Sequence, residues 1–171
     1  TDKTYARNPN GLFTVHEIST PGRDNDDIAG ADQDLRGRNA SGVFISEVMA
    51  SNQTTFTGQS DTYVDWVEIY NASSSPVDLS GWGLSDTVNR ARKWQFPSGT
   101  VITPGEYKVI HCDRKTENTE GIHADFKIKR AGGEVICLSD PTGHILDRLV
   151  LPLIPTDVSY GRTEGMSGFF Y

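Results

Sequence analysis

The sequence has little of several features that mark particular classes of protein. It contains two cysteines among 171 residues, and no apolar run approaches the roughly 20 residues that a membrane-spanning helix needs. Two cysteines cannot provide the close pairs of ligands that structural zinc sites use. Cys112 and Cys137 therefore form either one disulfide or two buried thiols. We expect no membrane insertion and no metal centre.

Positive charge is scarce as well. The chain has 16 lysines and arginines against 23 aspartates and glutamates, which gives a formal net charge of −7. Such an acidic surface repels phosphate groups, so we expect neither a nucleic-acid partner nor an anionic membrane partner. Hydrophobic residues make up 36% of the chain, which suffices for a packed core and excludes disorder along the whole length.

Sequence motifs for common catalytic chemistries are also missing. The chain contains no Gly-x-Ser-x-Gly elbow, no Walker A loop and no His-Glu-x-x-His motif. His111 and Cys112 are adjacent on a predicted strand and point to opposite faces, so they do not form a nucleophile pair. We therefore predict that the protein is not an enzyme. The enzymatic alternative is a hydrolase that uses Glu47 and Glu68 as its carboxylate pair.

Short β-type runs, separated by turn residues such as Pro104-Gly105, begin at Val43. They recur at intervals of about 8–12 residues, and no long segment repeats apolar residues at the helical spacing. This pattern predicts an all-β sandwich or barrel. The predicted strands are Val43–Met49, Thr62–Tyr70, Val77–Leu79, Trp82–Ser85, Lys93–Phe96, Glu106–Cys112, Asp125–Lys129, Glu134–Ser139 and His144–Val150.

The inward faces of these strands should supply the hydrophobic core. Along the second strand, Val67 and Ile69 fall on one face, while Trp66, Glu68 and Tyr70 fall on the other. The same reasoning over the whole chain predicts a core made of Val67, Ile69, Leu79, Trp82, Leu84, Phe96, Ile110, Phe126, Ile136, Leu138 and Ile145.

Several motifs then follow one another in a fixed order: Ile45–Met49, Asp65–Asn71, Pro76–Asp86, Trp94–Pro97, Ile102–Tyr107, His123–Ile128 and Ser159–Arg162. This ordered series resembles the lamin tail domain family, and its bacterial, secreted branch in particular. The resemblance implies an immunoglobulin-like β-sandwich with an extended N-terminal arm. It also implies an extracellular or cell-surface location.

The N-terminal region resembles the end of such a domain. Thr4–Arg7 repeats the pattern of Ser159–Arg162, and Thr20–Asn25 resembles the closing segment of a lamin tail domain. Residues 1–25 are therefore expected to be the tail of a preceding repeat or a docking arm, followed by a linker at 26–41 and the domain at 42–171. The resemblance implies that the chain is a slice of a longer, tandem-domain protein.

Two features of the arm and linker carry further expectations. We predict that Leu12–Ile18 docks as an edge strand, on its own sandwich or on a neighbouring one. The acidic segment Asp24–Asp27 does not match a calcium-binding loop, because Ile28 occupies a ligand position. We expect no cofactor, although weak binding of extracellular calcium by this segment stays an alternative.

The resemblance implies a non-catalytic interaction or spacer module in a multidomain extracellular bacterial protein. Such a module would bind protein partners or neighbouring domains of the same chain through its surface and edge strands. The alternative is a carbohydrate-binding module whose exposed aromatic residues form the platform, namely Tyr63, Trp66, Tyr70 and Trp94. We also predict a structural polar network in which Arg162 pairs with Glu47 and Glu68.

Overall fold

The computed structural model of the chain describes residues 4–7, 13–16, 41–55, 62–115, 121–163 and 166–170. Within these residues the regular structure is β-strand, apart from one 3₁₀ turn at Val88–Arg90. The predicted all-β class is therefore confirmed. The chain divides into two compact units, Thr1–Arg38 and Asn39–Tyr171.

The described part of the first unit is a two-stranded hairpin. Strands β1 (Thr4–Arg7) and β2 (Phe13–His16) are antiparallel, with Tyr5 opposite Val15. The middle of the predicted edge strand Leu12–Ile18 is thus a strand, and its partner is β1. Residues 17–40, which include the acidic segment and nearly all of the predicted linker, lie outside the described residues.

The described strands of the second unit are β3 (Val43–Met49), β4 (Trp66–Asn71), β5 (Val77–Asp78), β6 (Gly83–Ser85), β7 (Trp94–Gln95), β8 (Val101–Ile102), β9 (Tyr107–Cys112), β10 (Ile122–Ala124), β11 (Val135–Ser139), β12 (Ile145–Val150), β13 (Ser159–Thr163) and β14 (Met166–Phe170). A six-stranded sheet has the order β10-β9-β4-β3-β13-β14, and a four-stranded sheet has the order β12-β11-β6-β7. Strands β5 and β8 form a small separate sheet. The arrangement is an immunoglobulin-like β-sandwich.

The core of the second unit comes from the alternating inward residues of both sheets. Every predicted core side chain lies in it except Ile145, which is half-buried and outside the core cluster. The prediction of Ile145 is wrong because a β-bulge shifts the register between β11 and β12, so that Leu138 lies opposite Asp147 and Ser139 opposite Ile145. Asp147 shares the inward face with Leu149 by ordinary alternation and is 1% exposed, whereas Ile145, beyond the bulge, no longer follows that alternation.

The predicted strand Asp125–Lys129 is wrong as well. This segment is irregular, and the strand in that region is β10, which pairs in parallel with β9. Phe126 and Ile128 are buried while their neighbours are exposed. The side chains therefore alternate as in a strand, although the segment is not assigned as a strand with a hydrogen-bonded partner. Its backbone is satisfied differently, since the Ile128 N–H donates to the Asp65 carboxylate at 3.2 Å.

Candidate binding face

The six-stranded sheet turns one face toward the core and the other away from it. Along β4 the side chains alternate: Val67 and Ile69 are fully buried, whereas Glu68 and Tyr70 are half-exposed. Residues directly opposite one another on neighbouring strands share a face, so the register assigns the rest of the surface. We call this surface the outer face; its members include Phe44, Glu47, Met49, Trp66, Glu68, Tyr70, Tyr107, Val109, His111 and His123.

An aromatic row crosses one end of the outer face. Phe44 on β3 lies opposite Tyr70 on β4, and Tyr70 lies opposite Tyr107 on β9. The two tyrosine rings stack with their centroids 4.4 Å apart, and Tyr107 is 59% exposed. Cross-strand aromatic pairs of this kind stabilise a sheet, and here the pair also leaves apolar surface exposed to solvent.

Two carboxylates lie directly opposite each other next to the aromatic row. Glu47 pairs in register with Glu68 across β3 and β4, beside a bulge that leaves Ser46 unpaired. The Ser46 hydroxyl donates to Glu68 at 2.7 Å, and the Ser159 hydroxyl donates to Glu47. Burial raises the pKa of Glu68, the Ser46 bond opposes that rise, and the nearby negative charge of Glu47 adds to it.

A third row contains two histidines. His111 lies opposite Trp66 on β4 and opposite His123 on β10, and the two imidazole rings stack at 5.0 Å. The Nδ1 atom of His123 is 3.1 Å from both carboxylate oxygens of Asp113. His111 is 3% exposed, and burial, followed by the charge of His123, lowers its pKa.

Arg162 does not join the two glutamates as predicted. Its guanidinium donates to the Asp147 carboxylate at 2.5 Å and to the backbone oxygens of Ile45 and Arg148. The register explains the correction: Gly161 lies opposite Glu47, so the next residue points to the other side of the sheet. Burial raises the pKa of Asp147, and the charge of Arg162 opposes this effect.

The four predicted platform aromatics do not share one face. Trp66 and Tyr70 both belong to the outer face, but Trp66 is 7% exposed. Trp94 lies on β7 of the other sheet, where its ring meets Phe96 edge-on at 4.8 Å. Tyr63 precedes β4 and is 49% exposed.

A model of the family named Lamin Tail Domain matches residues 37–151, which is more than half of the chain. The chain belongs to the lamin tail domain family. This family consists of non-enzymatic, immunoglobulin-like domains that mediate protein interactions. A search of curated proteins found no match. Within the part of the chain that the structure describes, no helix is long and apolar enough to cross a membrane.

An open cleft of about 510 Å³ lies elsewhere on this lamin tail domain. Its carboxylates are already matched by lysines: Lys93 contacts both oxygens of Asp86 at 2.7 Å, and Lys129 lies 3.8 Å from Glu134. Burial raises the pKa of Glu134. Because the carboxylates of the cleft already have lysine partners, we favour the outer face as the candidate site.

The two cysteines of the lamin tail domain are free and buried, so the thiol alternative holds. Cys112 points into the core from β9, opposite in direction to His111. Burial raises the pKa of both thiols, that of Cys137 to about 11. In the residues described, no cluster of three histidine, cysteine or acidic side chains has the arrangement of a metal site.

Sequence reasoning missed Phe44 and Tyr107 as members of the candidate face. Both lie on strands that were predicted correctly, and the alternation along each strand already put them opposite the core side chains. The register that aligns them with Tyr70 is a long-range property, which the sequence alone does not fix. The one signal that could have found them is the alternation along each strand, which marks both side chains as outward-facing.

Proposed function

We propose that this lamin tail domain is a non-catalytic interaction and spacer module of a multidomain bacterial protein at the cell surface or outside the cell. Its partners would be other proteins or neighbouring domains of the same chain. The observation that carries the proposal is the outer face, where stacked Tyr70 and Tyr107 stand beside the Glu47–Glu68 pair on a rigid sheet. Exposed aromatic surface next to charge is typical of protein-binding surfaces.

The surroundings of the reactive side chains support the non-catalytic part of the proposal. Cys112 lies in the core with a raised pKa, so its nucleophilic thiolate is disfavoured. Asp147 and Arg162 are bound to each other, and their bonds to Ile45 on β3 and Arg148 on β12 reach the backbone of both sheets. These groups hold the sandwich together, which agrees with the non-enzymatic character of the family.

The sheet edges offer a second route to protein contacts. In the described part of the six-stranded sheet the outermost strands are β10 and β14. An edge strand presents unpaired backbone groups on which an extended segment of a partner can add a further strand. Strand β14 is the longer of the two edges and carries the sequence MSGFF, which is predominantly apolar.

The proposal includes a tandem arrangement of repeats. Its support is the likeness of two hairpins: Tyr5 in β1 and Tyr160 in β13 each lie in the first strand of an antiparallel pair. The second of these hairpins joins β3 within the domain, through Tyr160 opposite Val48. By analogy, β1 and β2 would complete the sheet of a preceding repeat.

Photo-cross-linking in the cells that produce the whole protein tests the proposed function. Benzoylphenylalanine would replace Tyr107 on the outer face, with Val88, an exposed residue of the 3₁₀ turn, as the control position. We expect a discrete protein adduct from position 107 and none from position 88, in the surface or secreted fraction. Recovery in the cytoplasm alone would contradict the proposed location.

Glycan binding is the alternative function, and the same exposed tyrosines would serve it. A glycan array probed with the chain, with and without calcium, separates the two functions. We expect no specific glycan signal in either condition. Strong binding to one glycan class, abolished by Tyr107→Ser, together with no protein adduct from position 107, would replace the proposed function with carbohydrate binding.

A further inference from the structure

We infer that the outer face binds an extended segment of a protein partner that carries a lysine or arginine with an apolar residue two positions away. The cationic side chain would lie at Glu47 and Glu68, and the apolar side chain on the row formed by Tyr70 and Tyr107. This inference rests on the proposed function and specifies the chemistry of the partner.

The first argument concerns the counter-charges of the glutamate pair among the residues that the structure describes. Glu47 and Glu68 are in register and accept bonds from serine hydroxyls. Across the described ranges, no lysine or arginine forms an ion pair with either of them. Like charges directly opposite each other on neighbouring strands destabilise a sheet, and a cation between them would remove that cost.

Other carboxylates of the domain show that lysines are available for pairing. Asp86 is paired with Lys93, and Glu106 with Lys108, each at 2.7 Å. Lys108 lies on β9 between Tyr107 and Val109, yet it contacts Glu106 instead of the glutamate pair. The alternation of the strand explains this, because Lys108 leaves β9 on the side opposite to Tyr107.

The spacing along β4 matches the repeat of an extended chain. Glu68 and Tyr70 are two residues apart on the same face, which corresponds to about 6.6–6.8 Å along the strand. Side chains two positions apart in an extended peptide have the same separation. A segment that runs along β4 can therefore place its cation at Glu68 and its next same-face side chain on Tyr70 and Tyr107. The exposed tyrosine rings also favour a second cation over an anion.

The charge of the whole chain selects the class of partner. A formal net charge of −7 attracts a basic segment over distances longer than a contact and repels a second copy of this chain. We therefore assign the face to a basic segment of another protein or domain, and self-association becomes an outcome that the experiment can detect.

An NMR titration of the isotope-labelled 171-residue chain tests the inference. The probe is a short synthetic peptide that repeats Lys-Thr-Val-Thr, and the control peptide has Glu in place of each Lys. We expect shifts to concentrate on β3, β4 and β9 with the lysine peptide and to be absent with the glutamate peptide. Adding salt should weaken the binding, because the contacts are partly screened.

Matched variants locate the binding. Glu47→Gln with Glu68→Gln should weaken the lysine peptide about tenfold, and Tyr107→Ser should also weaken it. The controls are Asp78→Asn, an exposed carboxylate of the small sheet, and Tyr63→Ser; neither should change the affinity. The glutamine changes relieve a like-charge contact, so the fold should persist, and the same spectra report it.

Several results would overturn the inference. The inference is wrong if the shifts spread over the whole surface, if the glutamate peptide causes equal shifts, or if the double glutamine variant binds the lysine peptide with unchanged affinity. It is also wrong if the outer face shows concentration-dependent shifts without peptide, because that result would assign the face to contacts with a second copy of the chain. A protein adduct from position 107 without lysine-peptide binding would leave the proposed function standing and remove the inference. Peptide binding without any protein adduct would contradict the proposed function instead.

Discussion

Arg162 and Glu47 lie one register position apart, yet they face opposite sides of the same sheet. The arginine reaches between the sheets to Asp147, while the glutamate stays on the outer face with Glu68. Residue types therefore do not decide which charges meet in this domain. What decides it is the face of the sheet on which each side chain lies. Arg162 lies on the inner face and joins the two sheets, whereas Glu47 lies on the outer face that we propose as the binding surface.

The buried ion pair gives a prediction at this scale. Removing one partner, as in Arg162→Met, should lower the free energy of unfolding by about 3–5 kcal/mol, because Asp147 is then buried without its counter-charge. A double-mutant cycle with Asp147→Asn should show strong coupling, whereas the cycle of Arg162→Met with Glu68→Gln should be additive within about 0.5 kcal/mol. Urea unfolding followed by tryptophan fluorescence measures both. Coupling to Glu68 as strong as to Asp147 would restore the predicted network.

Asp65 gives a prediction about how the stability of the domain depends on pH. Burial raises its pKa to about 6, while the Ile128 N–H bond opposes the rise. Its folded pKa exceeds its unfolded value, so its contribution to stability falls as pH rises from about 4 through about 6. Asp65→Asn keeps an acceptor for Ile128 and should raise the urea midpoint at about pH 7.5 more than at about pH 5. An equal effect at both pH values would contradict the raised pKa.

Single elements show where sequence reasoning succeeds and where it stops. Strand β3 was predicted to the residue, and β4, β9 and β11 within a few residues, because alternation and turn signals are local. The two bulges, at Ser46 and beside Leu138, were not predicted. A bulge depends on the partner strand, and here one bulge aligns the glutamate pair while the other takes Ile145 out of the inward alternation.

Strand β10 gives a prediction at the scale of an element. It is an edge strand of three residues, and its His123 stacks on His111 beside Asp113 and Lys115. The pKa of His111 is lowered in the folded state, so its contribution to stability is fully present above its unfolded value of 6.5 and is lost as pH falls from there through the lower folded pKa. Acidification should therefore loosen β10 before the rest of the sheet.

Amide hydrogen exchange measures this loosening. We expect exchange at Ile122–Ala124, corrected for the intrinsic rate, to accelerate between about pH 7.5 and about pH 5.5. His111→Phe keeps a stacked ring that cannot take up a proton, so it should flatten the pH dependence. The amides of β11 serve as the internal control. An unchanged pH dependence in the phenylalanine variant would assign the effect to other groups.

At the scale of the whole molecule, the family and the sandwich could be inferred from the ordered motifs, since these mark turns and buried positions one after another. The functional face could not, because it depends on which strands become neighbours. Glu47, Glu68 and Tyr70 were predicted as site residues, but Tyr107, which lies opposite Tyr70, was not. Composition added one property that no single residue carries, the net charge of −7.

The most direct measurement of the central claim, that the outer face is where this domain meets its partner, is hydroxyl-radical footprinting of its tyrosines. The oxidation of Tyr107 is compared with that of Tyr63 in the purified chain and on the cells that produce the whole protein. Both tyrosines are exposed in the domain, so both should react in the purified chain. We predict that the cellular context protects Tyr107 and leaves Tyr63 reactive. Equal oxidation of Tyr107 in both samples would contradict the account.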